Sequence, residues 1–243
     1  MLKDARVILD RLITDKRTFD SNGNPLQVTG AISLLEAEFL RKVILENEFS
    51  VCLETGVAYG SSTIAICSAL SALEKRGTAV KHYGVDPCQH NVYGGAAIAA
   101  LQECGLDGIF ELCEGPSHLM LPKLIERNIR VDLVFIDGMH TFDYTLVDLF
   151  LSDKLLRTGG IICIHDMDLP SKKKALRYLV GYRKYVRLPS VKKPFARRVG
   201  AAIKDWSDGS LKSGWSRLTT VELMAALKKV SDFEPGWDFY ARI

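Results

Sequence analysis

Five short apolar runs in this chain each end on an acid. They close at Glu54-Thr55-Gly56, Asp86-Pro87, Glu114-Gly115, Asp137-Gly138 and His165-Asp166. Chance accounts for one or two such endings, not five in five. In an open parallel sheet, ligands bind outside the carboxyl ends of the strands, so these residues are placed to carry chemistry. The stretch ETGVAYGSS (54–62) joins the first run to the next helix, and Gly56 and Gly60 let its backbone turn tightly. It is not a GxGxxG loop and has no phosphate-binding lysine. An acid at its start repels a pyrophosphate and attracts an amino group. Asp86 follows Gly56 by 30 residues, where a carboxylate can take both hydroxyls of a ribose. Together these features point to an adenosine that carries an amino acid. The segment FIDGMHTFDY (135–144) adds His140 three residues beyond Asp137, and imidazole accepts protons near neutral pH.

Each of these residues also admits a plainer role. Asp86 or His140 could cap the helix that follows, and His165 and Asp166 could satisfy loop amides.

A parallel sheet must hold these residues in place. Strand-like runs at SVCLETG, VKHYGVD, IFELCEG, VDLVFIDG and GGIICIHD alternate with helical runs near 61–75, 91–104, 118–128, 141–156 and 171–183. Such alternation predicts an α/β fold with helices on both faces. Two amphipathic helices, near 2–14 and 31–48, come first, separated by the turn-forming DSNGNP. At the other end, KYVRLP and FARRVGAAIKD are joined only by SVKKP, which predicts an antiparallel pair. The expected architecture is a Rossmann-like, doubly wound, mostly parallel seven-stranded sheet with an antiparallel C-terminal hairpin. TTVELMAALKKV reads as a short helix capped by Thr219 or Thr220. The expected division is 1–50 as helices covering the site, 51–204 as the ligand-binding core, and 205–243 as a C-terminal extension packed on it.

Composition narrows the partners. No apolar run approaches a membrane span, and the amphipathic N-terminus is no secretory signal; both predict a cytoplasmic protein with no membrane partner. The six cysteines show no metal-binding spacing and predict free thiols. Residues 171–204 hold twelve of the 32 basic residues and no acid. That block is either a solvated face or a positive rim that attracts an anionic small molecule. It lacks the aromatic interleaving of a nucleic-acid platform, which argues against nucleic acid. The N-terminal helices offer a surface for a homodimer.

The pattern ETGVAYGSST…YGVDP…CEGPS…FIDGMHTFDY…GGIICIHD resembles class I S-adenosylmethionine-dependent methyltransferases, in the branch of small-molecule O-methyltransferases. The resemblance covers roughly residues 29–204. It implies that Glu54 and Ser62 bind the methionine end of S-adenosylmethionine, lined by Gly56 and Gly60. Asp86 would hold the ribose, and Glu114, Gly115 and Ser117 would flank the adenine. In the catechol-type enzymes of that branch, acids after the fourth and fifth strands bind a divalent cation. Asp137, His165 and Asp166 stand at those positions, and the cation expected is Mg, Mn or Ca. The base of those enzymes falls at His140, where they have a lysine, and Asp137 would orient the acceptor oxygen. The implied activity is methyl transfer to a hydroxyl of a small molecule. The alternatives are a non-catalytic S-adenosylmethionine-binding protein and a nicotinamide-dependent oxidoreductase.

Overall fold

The run VDLVFI is buried along its whole length, as a central strand with helices on both faces must be. The computed structural model describes residues 2–208 and 222–240. Helix α1 (Ala5–Ile13), a small hairpin of β1 (Arg17–Phe19) and β2 (Pro25–Gln27), and helix α2 (Leu34–Asn47) open the chain. Then come β3 (Val51–Thr55), α3 (Ser61–Glu74), β4 (Lys81–Asp86), α4 (Ala96–Cys104) and β5 (Phe110–Glu114). They are followed by α5 (Ser117–Glu126), β6 (Val131–Ile136), α6 (Phe142–Leu155), β7 (Leu156–Ile164) and α7 (Pro170–Tyr182). The last elements are β8 (Tyr185–Lys192), α8 (Phe195–Ser207) and β9 (Glu222–Lys229).

The large sheet has seven strands in the order β5-β4-β3-β6-β7-β9-β8. From β5 to β7 every pairing is parallel, whereas β9 runs antiparallel to both β7 and β8. The pleat divides the core by alternation. Leu133 and Phe135 of β6 pack on the side of α1, α2 and α3, and Val134 and Ile136 on the side of α5, α6 and α7. The chain builds outward from β3 to β5, then returns to build β6 and β7 on the other side. Open sheets of this kind bind their ligands at such a reversal, here the carboxyl ends of β3 and β6. Among the described residues, no helix is long and apolar enough to cross a membrane. All six cysteines are free.

The C-terminal third departs from expectation. FARRVGAAIKD is helical, as part of α8, and the antiparallel partner of β8 is β9 instead. Phe195, Val199 and Ile203 recur every fourth residue, which is a helical repeat and not a strand's alternation. ELMAALKK, expected as a helix, is β9. Its residues are good helix formers, but Met224, Ala225, Ala226 and Leu227 are all buried between β7 and β8. A strand covered on both faces shows a continuous apolar run, which periodicity cannot tell from a helix. The expected caps Thr219 and Thr220 lie outside the described residues. The stretch read as an extension, 205–243, therefore supplies a strand of the sheet itself.

Candidate active site

The glycine loop after β3 is shaped by the neighbouring strands. Gly56 has φ +86°, and a Cβ there would lie 2.3 Å from the Asp137 carbonyl oxygen. Only glycine lets the loop pass under the end of β6. Asp86 fastens the loop from the other side. One carboxylate oxygen accepts the amides of Val57 (3.0 Å) and Ala58 (2.8 Å), and the other accepts that of Cys88 (2.7 Å). Ala58 sits in the left-handed region at φ +46°, and Gln89 Nε2 donates to its carbonyl at 2.6 Å. Gln89 Oε1 is buried with no partner among the described residues.

Glu54 does not stand open at the strand end. It is fully buried, and its carboxylate accepts from Ser62 and Thr63 and pairs with His82 Nε2 at 3.0 Å. Ser62 lies in the first turn of α3 beside it. Gly60 turns at φ +86° against Ala97. Glu114 bonds the amide and Nδ1 of His90 (3.1 and 2.7 Å). Gly115 follows at φ +152°, and Ser117 opens α5. Asp148 of α6 lies near the hydroxyls of Ser117 and Thr55; burial pushes its carboxyl up against their pull.

The ends of β6 and β7 bring together Asp137, His140 and Asp166. Each offers one ligand atom within 4.8 Å of the others, a group able to hold a metal ion. His140 Nε2 is 3.7 Å from Asp166 Oδ2, and the imidazole is half exposed. The helix N-cap is Thr141, not His140, so the capping role fails. Ser171 at the start of α7 donates to the His140 carbonyl at 2.6 Å and pins that turn.

His165 is not free for that group. Its Nδ1 is 2.8 Å from Asp137 Oδ1 and its Nε2 is 3.2 Å from Glu36 Oε1. Burial opposes its charge, but Asp137 and Glu36 outweigh that and carry its pKa to about 11. An imidazolium has no lone pair for a metal. Burial raises the Asp137 carboxyl against the pull of His165. Burial also works against Glu36, yet His165 and Ser33 hold its carboxyl below the usual range. Replacing His165 with alanine leaves two buried carboxylates without their shared partner. Unfolding in urea should show a loss of about 3 kcal/mol or more; a variant as stable as the wild type would mean that the imidazolium bridge contributes nothing.

Three side chains at this end escape sequence reasoning: Glu36, Asp148 and Lys172. The spacing Ser33-x-x-Glu36 announces a capping box, and the box forms. Nothing local announces that Glu36 also reaches His165. Lys172 looks like one of three surface lysines in SKKK, yet it is fully buried.

Residues 53–167 match the family model of a methyltransferase domain. Over that segment the chain is similar to a methyltransferase domain. Its fold is shared by a putative O-methyltransferase from Klebsiella pneumoniae, at a TM-score of 0.65 and 16% identity, covering 91% of this chain and 89% of that one. The O-methyltransferase TomG from Streptomyces achromogenes, involved in tomaymycin synthesis and solved in complex with SAM, aligns at 0.61 and 17%, covering 83% and 82%. An O-methyltransferase from Bacillus cereus in complex with SAH aligns at 0.60 and 14%, covering 82% of each chain. A search of curated proteins gave no match. The methyltransferase match sets the oxidoreductase alternative aside.

Proposed function

We propose that the protein transfers a methyl group from S-adenosylmethionine to a hydroxyl oxygen of a small molecule, with His140 as proton acceptor and a divalent cation between Asp137 and Asp166. The observation that carries this reading is the meeting of Asp137, His140 and Asp166 just past the ends of β6 and β7.

The residues present fit the cofactor. The strand ends are acidic and the loop lacks a phosphate-binding lysine, which suits a ligand with a cationic amino acid end. The unpartnered Gln89 Oε1 is an acceptor awaiting a donor beside that loop. Asp86, with one carboxylate oxygen taking a single amide, keeps capacity for a ribose hydroxyl. Ser62 would meet the methionine end, with Glu54 acting through it, because the Glu54 oxygens are sealed behind that hydroxyl. Gly56 and Gly60 would line this end, and Glu114, Gly115 and Ser117 would border the adenine.

The cation also fits. Glu36, Asp137, Asp148 and Asp166 are four acids facing two buried cations, His165 and Lys172. Counted with every group ionised, the acids exceed the cations by two charges, the charge of one divalent ion. Oxygen donors favour Mg²⁺, Mn²⁺ or Ca²⁺ over zinc. A bound cation would lower the pKa of the acceptor hydroxyl.

When bound, S-adenosylmethionine supplies an electrophilic methyl whose bonding electrons stay on sulfur as the acceptor oxygen takes the carbon. His140 accepts the hydroxyl proton, and its exposure lets that proton pass to solvent. Asp137, held by the His165 and Glu36 chain, orients the oxygen.

Methyl-labelled S-adenosylmethionine incubated with a panel of phenols, catechols and alcohols tests the reaction, and transfer to none of them would refute it. In EDTA the rate should fall at least about tenfold and return with Mg²⁺ or Mn²⁺. An unchanged rate would remove the cation and leave His140 and Asp137 to act alone.

A further inference from the structure

Each of α1 to α7 sinks apolar residues into one of the two cores, but none of the described residues of α8 joins either. The apolar residues Phe195, Val199 and Ile203 of α8 recur every fourth position and so share one face. That face is open to solvent: Phe195 is 69% and Ile203 56% exposed. A helix of 13 residues is marginal in water unless its apolar face is packed. The stripe therefore needs a covering surface, and charge says which. The segment between β8 and β9, residues 193–221, holds six basic residues against two acids. Upstream, the stretch 171–204 holds twelve basic residues and no acid. Lys192 beside the start of α8 and Lys204 within it are exposed and pair with no acid among the described residues. A second copy of the chain is a poor cover, because two-fold pairing sets this positive face against itself. An anionic bilayer offers both an apolar layer and negative headgroups.

We infer that α8 is an interfacial anchor that docks the protein on an anionic lipid bilayer. Phe195, Val199 and Ile203 enter the boundary of the acyl chains, and Lys192 and Lys204 meet the headgroups. The helix lies in the plane of the surface; among the described residues no helix is long and apolar enough to cross it. Lys193 Nζ bonds Asp168 Oδ2 at 2.7 Å, which fastens the start of α8 to the loop that carries Asp166. Docking through α8 therefore brings that loop to the bilayer. The inference stands apart from the proposed methyl transfer and does not need it.

The protein is sedimented with vesicles of equal parts phosphatidylcholine and phosphatidylglycerol, and with vesicles of phosphatidylcholine alone. The wild type should bind the mixed vesicles at least about tenfold more tightly than the neutral ones, and should leave them at high salt. Phe195→Ser with Ile203→Ser should weaken binding to the mixed vesicles at least about tenfold, whereas Phe195→Leu with Ile203→Leu should keep it. Lys192→Glu with Lys204→Glu should lose binding in the same way. All four side chains are exposed, so thermal unfolding should stay at the wild-type midpoint. Wild-type protein that stays in the supernatant, or that binds neutral vesicles as tightly, overturns the inference. So does a serine variant that binds as well as the wild type, since that is adsorption of a basic protein without the apolar face. Sedimentation equilibrium without lipid tests the rival cover: a dimer that the serine variant dissolves would place a second copy on the face and overturn the inference. Phe195→Gln with Ile203→Gln repeats the comparison where the serine variant does not fold, and if neither folds the stripe is structural and the inference falls.

Discussion

His140→Ala should reduce kcat by about 100-fold or more while binding S-adenosylhomocysteine with nearly wild-type affinity. The split follows from position. His140 lies past the end of β6, half exposed and 3.7 Å from Asp166, and the bonds that hold the glycine loop come from Asp86 instead. It makes no helix cap, so its removal leaves α6 with the same N-terminus at Thr141. The bond from Ser171 fixes the turn that presents the imidazole. Proton abstraction acts on the second substrate only, so the loss falls on turnover. A variant that turns over at the wild-type rate, in steady-state assays on a responsive acceptor, would mean that another group takes the proton.

Asp86→Ala should weaken S-adenosylhomocysteine at least tenfold and lower stability as well. A charged hydrogen bond to a ribose contributes about 1.5–3 kcal/mol, enough for the affinity loss. The carboxylate also satisfies three backbone amides, those of Val57, Ala58 and Cys88. Two of them belong to the loop that turns under β6, and each buried amide left without an acceptor costs about 1–3 kcal/mol. Calorimetry and thermal unfolding on the same sample separate the two effects. A folded variant with unchanged affinity would confine Asp86 to holding the loop.

The parallel half of the sheet was legible because its signals are local. Each strand is a short apolar run closed by a glycine or an acid, and the helices between have the expected lengths. The C-terminal third was not legible, for a physical reason. Ala225 and Leu227 are buried on one face of β9 and Met224 and Ala226 on the other. Such a strand carries no alternation, and its helix-forming residues are overruled by the slot between β7 and β8. The same limit applies at the site. Asp137 and His140 share one turn and were visible together. The partners of His165 come from two distant segments, α2 and β6, and no spacing in the sequence joins Glu36 to Asp137. His165 was accordingly expected to be a cation ligand, whereas its ring is enclosed by two carboxylates. The burial of Lys172 was hidden by its neighbours, since a run of three lysines has the look of a solvated face.

A crystal structure of the protein with S-adenosylhomocysteine tests the central claim most directly. The ligand should lie across the carboxyl ends of β3 and β4, with its ribose hydroxyls at Asp86, its amino acid end toward Ser62 and its sulfur toward Asp137. Density for the ligand elsewhere, or none at saturating concentration, would contradict a cofactor site built on these strand ends.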